Sequence, residues 1–256
     1  MKEFTDIVYN EHGQALDIYL PESGLVEAIF VYFHGGGLEV GSKSGCRHFV
    51  PYLTAHNMAV VSADYRMYPC EKHPENHAKY PDFIEDAADC VAWVMAHAGE
   101  YCSCDKIFVG GSSAGGYLSM MLCFNEEYLG KHGIKPTDLA GYIHDAGQPT
   151  SHFNVLRERG IDTRRLIVDE TAPLYFVGHN GNECAPMIFL VSDNDIPNRY
   201  EQTELMIGTM KHFGYDMSKV ELKLLHGGHC HQIHEFDENG DNVFGKLIRE
   251  FVSKAL

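Results

Sequence analysis

Positive charge is scarce in this sequence. Its 256 residues hold 20 Lys and Arg against 36 Asp and Glu, a formal net charge of −16 at pH 7. Nucleic-acid binding needs clustered cations to meet phosphates, so that class of partner is not expected. No apolar run approaches the roughly 18 residues of a membrane-spanning helix, so no membrane association is expected either. The N-terminus, Met1-Lys2-Glu3-Phe4-Thr5-Asp6, lacks the apolar stretch of a secretory signal. Internal repeats and low-complexity segments are absent, which argues against solenoids and disordered tails. Tryptophan occurs once, at Trp93, on a segment of helical spacing that places it in the core.

Cysteine is not scarce, but it lacks order. Cys46, Cys70, Cys90, Cys102, Cys104, Cys123, Cys184 and Cys230 are scattered. A small secreted domain stapled by disulfides would show a denser framework. Reduced thiols in a cytoplasmic protein are the expectation.

What is present is alternation. Phe4–Tyr9 and Leu16–Leu20 read as a hairpin, and Ala28–Phe33 and Met58–Ala63 as buried strands. Cys46–His56 has helical spacing. A longer helix starts at Pro81 and runs to about His97, with Ile84, Ala88, Val91 and Val94 on one stripe. Further strands are expected at Ile107–Gly110, Leu139–His144, Met187–Val191 and Val220–Leu225. Helices are expected at Ala114–Phe124, at about Asn198–Phe213 and at about Asn242–Ala255. Strands alternating with helices predict a mostly parallel sheet covered on both faces. A single domain spanning residues 1–256 is the simplest reading of that pattern. The stretch from Gln148 to Asn182 breaks the alternation, and it reads as a cap of short helices and loops over the carboxyl edge of the sheet.

Gly111, Ser113 and Gly115 fit G-x-S-x-G between a strand and a helix. A hydroxyl on such a turn stands exposed above the sheet, and glycine two residues either side avoids collision with neighbouring backbone. Ser112 lacks the flanking glycines at those offsets. A second motif, His34-Gly35-Gly36-Gly37, follows the strand ending at Phe33. Bare backbone there can aim N–H groups at a developing oxyanion. Gly35 and Gly36 are the candidate donors, joined by Ala114 just after Ser113. A phosphate loop is the competing reading of the glycines, but the Lys-Ser/Thr pair it needs is missing.

With these two motifs and Asp64-Tyr65-Arg66, the chain resembles the α/β-hydrolase superfamily, and within it the small carboxylesterases similar to the hormone-sensitive-lipase group. The resemblance spans nearly the whole chain. It implies an α/β-hydrolase fold: a mostly parallel eight-stranded sheet, helices on both faces, and a small cap insertion at 148–182. It also implies a serine carboxylesterase acting on a small-molecule ester without a cofactor, with nucleophile, acid and histidine in that chain order. The acid should follow the strand Met187–Val191, where Asp193 and Asp195 both stand; the family spacing favours Asp195. The base should follow Val220–Leu225, where His226, His229 and His231 compete; the family pattern favours His229.

Other readings of these residues are weaker. His226, His229, Cys230, His231 and His234 lack a partner at a recognised zinc spacing, so no metal is expected. Asp237, Asn239 and Asp241 suggest a calcium loop, but its sixth position is Asn242 and its twelfth Ile248. His144, Gln148, His152 and Tyr175 are candidates to line the substrate pocket. A serine peptidase of the same fold and a non-catalytic ligand-binding relative are the alternative functions. Self-association into a homo-oligomer is left open. Short-chain or sugar-linked acyl esters, acetyl or hydroxycinnamoyl, are the expected substrates.

Overall fold

The computed structural model describes all 256 residues. Eight strands form one sheet: β1 (Lys2–Val8), β2 (Ala15–Leu20), β3 (Ala28–Phe33), β4 (Met58–Ala63), β5 (Ile107–Ser112), β6 (Gly141–Asp145), β7 (Met187–Asn194) and β8 (Val220–Gly228). Their spatial order is β1-β2-β4-β3-β5-β6-β7-β8. β1 and β2 pair antiparallel and add antiparallel to β4, while β4, β3 and β5 to β8 run parallel. This is the architecture expected from the alternation of apolar strands and amphipathic helices. β3, β4 and β5 are buried along their full length, because helices cover both sides of them.

Period-two alternation divides the central strands between two cores. One face packs Val31, Val109 and Tyr142 under α2 (Asp82–His97), α3 (Ala114–Phe124), α4 (Glu126–Gly130) and α6 (Arg199–His212). The other packs Phe30, Phe108 and Ile143 under α1 (Val50–Ala55) and α7 (Val243–Ala255). The helix α3 is apolar on nearly every side and almost wholly buried, as a helix enclosed between sheet and neighbouring helices must be.

Several boundaries differ from expectation. The segment read as one helix over Cys46–His56 is a 3-10 turn, Lys43–Cys46, and a separate α1. Pro51 is the cause: without an N–H it fits only in the first turn, so the α-helix begins at Val50. β7 and β8 run past their apolar runs, to Asn194 and Gly228, because they pair with each other to the end. Trp93 is only partly buried, at the edge of the core beside His97 and Tyr101. In the 148–182 segment the regular elements are α5 (Phe153–Glu158) and a 3-10 turn at Pro173–Phe176.

Backbone packs very closely where α3 starts. A Cβ on Gly115 would sit 1.9 Å from the carbonyl oxygen of Phe33, and one on Gly111 would sit 2.5 Å from that oxygen and from the Gly115 carbonyl carbon. Both obstacles are backbone and cannot swing away. Gly115→Ala is therefore expected to destabilise the fold by about 3 kcal/mol, the upper end of the usual overpacking range. A urea unfolding midpoint within error of the wild type would refute this.

Candidate active site

The packing of Gly111 and Gly115 makes the turn between β5 and α3 abrupt. Ser113 takes the corner with φ +55 and ψ −111, a conformation that a β-substituted residue adopts only when its surroundings impose it. Its N–H donates to the Asp145 carbonyl at 2.7 Å, and its carbonyl accepts from Tyr117 N–H at 3.0 Å. The side chain is left above the carboxyl edge of the sheet at the N-terminus of α3.

His229 approaches from the loop after β8. Its Nε2 lies 2.8 Å from Ser113 Oγ, and its Nδ1 lies 2.6 Å from Asp195 Oδ1. The Asp195 side chain is 2% exposed, whereas that of His229 is 26% exposed. A buried carboxylate needs several partners. Asp195 also accepts from Ile196 N–H at 2.7 Å and from Ser192 N–H at 3.4 Å. Burial works to raise its pKa, but the His229 contact and these N–H groups outweigh it and hold the carboxyl below its ordinary value.

The neighbouring pair is separate. Asp193 meets His226, Oδ2 to Nδ1 at 2.5 Å, and accepts Gly227 N–H at 2.9 Å. The His226 side chain is 98% exposed, far from a protected site. His231 pairs with Glu235 at 3.1 Å. The histidine-rich stretch thus disperses onto different partners, and only His229 turns toward Ser113.

Gly35, Gly36 and Gly37 line the cleft above Ser113. Neither Gly35 nor Gly36 donates its N–H to another backbone group, and Ala114, the first residue of α3, has no intrahelical acceptor in reach. Gly36 adopts φ +114, and a Cβ there would strike Val40 carbonyl at 1.9 Å. Tyr65 of Asp64-Tyr65-Arg66 braces this loop, and its two neighbours anchor it to other elements. Tyr65 OH donates to the His34 carbonyl at 2.8 Å and its ring stacks on the His34 imidazole at 4.4 Å. Lys43 N–H reaches Asp64 at 2.6 Å, and Arg66 pairs with the fully buried Asp86.

The pocket residues read from the sequence need correction. His144, Gln148, His152 and Tyr175 do not line the cleft. His144 lies on β6, where strand alternation turns it into the core toward α3; its Nδ1 meets Ser119 Oγ at 2.9 Å, and burial lowers its pKa to about 3. Gln148 is buried against Thr150 and Ser151. His152 is buried as the cap of α5, its Nδ1 accepting Asn154 N–H at 3.2 Å. Tyr175 meets Phe176 and His179 edge to face at the surface. The walls are instead Phe153, Ile196, Ile233 and His234. The available signal for three of them is position: Ile196 adjoins Asp195, and Ile233 and His234 closely follow His229.

Comparison with known proteins bears on the fold and the class of the chain. The fold is that of the α/β-hydrolases: Thermogutta terrifontis esterase 2 phosphoramylated by tabun superposes with a TM-score of 0.75 at 23% identity, over 99% of this chain and 94% of that one. The propionate-bound Est2 esterase from the same species gives 0.74 at 23% identity, over 99% and 93%. Residues 16–210 match BD-FAE, and the chain belongs to that family. It is 31% identical to Probable carboxylesterase 7 of Arabidopsis thaliana, over 97% of this chain and 86% of that one. The protein is a carboxylic ester hydrolase. No helix is long and apolar enough to cross a membrane.

Phe153 belongs to the 148–182 segment, which Asp169 ties together. Its carboxylate accepts from Ser151 Oγ, Arg159 Nη1, Thr171 N–H and Thr171 Oγ1, at 2.7 to 3.0 Å. Burial opposes ionisation, but these donors dominate and lower its pKa to about 2. An unfolded Asp titrates near ~3.9, so this contribution to stability is complete above that pH and is lost as the pH falls through about 2. Asp169→Asn should therefore lower Tm at pH 6, and the gap from wild type should close toward pH 2. A gap that stays constant down to pH 2 would contradict the assignment.

Proposed function

We propose that Ser113, His229 and Asp195 act as a catalytic triad, with Gly35, Gly36 and Ala114 as the oxyanion hole. The observation that carries this is the continuous contact chain from Ser113 Oγ through both nitrogens of His229 to a buried, ionised Asp195, beside free backbone N–H groups. Ser113 Oγ attacks the ester carbonyl carbon while His229 Nε2 takes its proton. The carbonyl oxygen becomes an oxyanion held by the three N–H groups and the N-terminal dipole of α3. The C–O bond to the alcohol breaks as His229 returns the proton to the leaving oxygen. A water molecule, deprotonated by His229, then attacks the acyl-serine, and the acid departs as Ser113 regains its proton. Asp195 holds His229 in the tautomer whose Nε2 is free to accept, and stabilises the imidazolium. No cofactor enters this cycle.

The cleft suggests the substrate. It is an open cleft of about 910 Å³, counted to its mouth, and the apolar side chains that line it are Tyr32, Phe153, Ile196, Cys230 and Ile233. Glycine, serine and histidine make up the rest. Each buried methylene contributes about 0.8 kcal/mol only where apolar surface is there to receive it. A short acyl group fills the available surface, and a long chain extends beyond it. The histidine and serine side chains among the lining offer hydrogen-bond partners to a hydroxylated leaving alcohol, as in acetyl or hydroxycinnamoyl esters of sugars. Eight free thiols support a reducing, cytoplasmic setting.

Hydrolysis of p-nitrophenyl acetate tests the triad. Ser113→Ala should lower kcat by about 10⁴-fold or more and Asp195→Asn by about 10³–10⁴-fold. Asp193→Asn should stay within about three-fold, the range of a surface change. An inactive Asp193→Asn beside an active Asp195→Asn would reverse the assignment of the acid. Across acetyl, butyryl, octanoyl and feruloyl esters, octanoyl should have a kcat/KM at least ~10-fold below acetyl. A preference for octanoyl would sink the short-acyl reading.

A further inference from the structure

One ionisable side chain beneath the site has no part in the proposed reaction. Asp145, the last residue of β6, is fully buried. It lies opposite Ser112 in the pairing of β5 with β6, on the sheet face that also packs Tyr32 and Ile233. Its Oδ1 accepts from Gln232 Nε2 at 2.5 Å. Burial pushes its carboxyl up to about 7, against the pull of the nearby His229 and with the push of Asp195.

Three chain segments meet at Asp145 and its neighbour Ala146. The Asp145 carbonyl accepts the N–H of Ser113 at 2.7 Å. The Asp145 carboxyl holds Gln232, in the 3-10 turn His231–Ile233 that begins two residues after His229. The Ala146 carbonyl accepts from Nη1 of the buried Arg199 at 2.7 Å, and Arg199 opens α6 four residues after Asp195. Ala146 itself is bent to φ +49, and its N–H returns to Leu190 of β7 at 2.8 Å. The serine, the histidine and the acid each stand on a different loop, and each loop is tied to the same two residues.

We propose that Asp145 is a positioning residue of the esterase: through Gln232 it fixes the His229 loop against the strand that holds Ser113. This rests on the triad reading given above. The tether needs an acceptor oxygen at Oδ1 and not a negative charge, so asparagine should replace aspartate far better than alanine does.

The test combines p-nitrophenyl acetate kinetics with active-site titration by diethyl p-nitrophenyl phosphate, which counts competent Ser113 and so corrects for unfolded protein. Asp145→Ala and Gln232→Ala should each lower kcat per titrated site by about 10–100-fold with KM within about two-fold, the scale of a misplaced catalytic group. Asp145→Asn should recover at least ~10-fold of the Asp145→Ala loss. The double variant should be no slower than either single one, because both remove the same bond. Gln232→Ala, a loop substitution, carries the test if Asp145→Ala does not fold.

The proposal is overturned if kcat per titrated site is unchanged while only Tm or the titrated fraction falls. It is also overturned if the two losses multiply, or if Asp145→Asn is as slow as Asp145→Ala. The triad reading fails separately, taking this proposal with it, if the wild type is active yet the phosphate does not label Ser113.

Discussion

The approach of α3 to β3 across two bare glycines is the contact from which the rest of the site follows. Phe33 carbonyl occupies the space that side chains at Gly111 and Gly115 would need. The helix can therefore begin within one residue of the strand, and Ser113 is forced through positive φ at the corner. Two outcomes follow from that one geometry. The serine side chain projects above the sheet, and the first N–H groups of α3 come level with the glycine loop that follows β3. A looser junction would separate Ser113 from the glycine loop by the width of a side chain.

The second constraint is electrostatic. The acid–histidine pair lies between a nearly inaccessible carboxylate and a partly exposed ring. Taking a carboxylate out of water is costly unless hydrogen bonds replace hydration. Asp195 finds them in His229 and in the N–H groups of its own turn. Asp193, two residues away, remains near solvent and pairs with an exposed histidine. Neighbours in sequence are thus divided into two environments by the direction in which β7 leaves the sheet.

The legibility of this molecule in its sequence tracks how local each constraint is. β3, β4 and α3 fall at their expected bounds because unbroken apolar runs and a glycine-flanked serine act over a few residues. The turn that carries Ser113, the proposed nucleophile, and the glycine loop after β3 are readable for the same reason. The choice between Asp195 and Asp193 is not local, since both follow the same apolar run, and a resemblance had to favour one. The cleft walls were the least legible. His144 looks polar and available in a one-dimensional view, yet β6 turns it into the core, whereas Phe153, Ile196 and Ile233 are ordinary apolar residues whose role comes only from tertiary placement. Asp145 carries no motif at all; its partners lie 32 residues before it and 87 after it along the chain.

The bracing of Asp195 by the N–H groups of Ser192 and Ile196 bears on when solvation work is done. In water, a carboxylate facing a newly formed imidazolium would have its surrounding dipoles rotate each time charge appeared and vanished. Here those dipoles are peptide groups whose orientation β7 and its turn set once, during folding. On the proposed triad, the site meets each turnover already polarised, so reorganisation energy is a cost of folding and not of the chemical step.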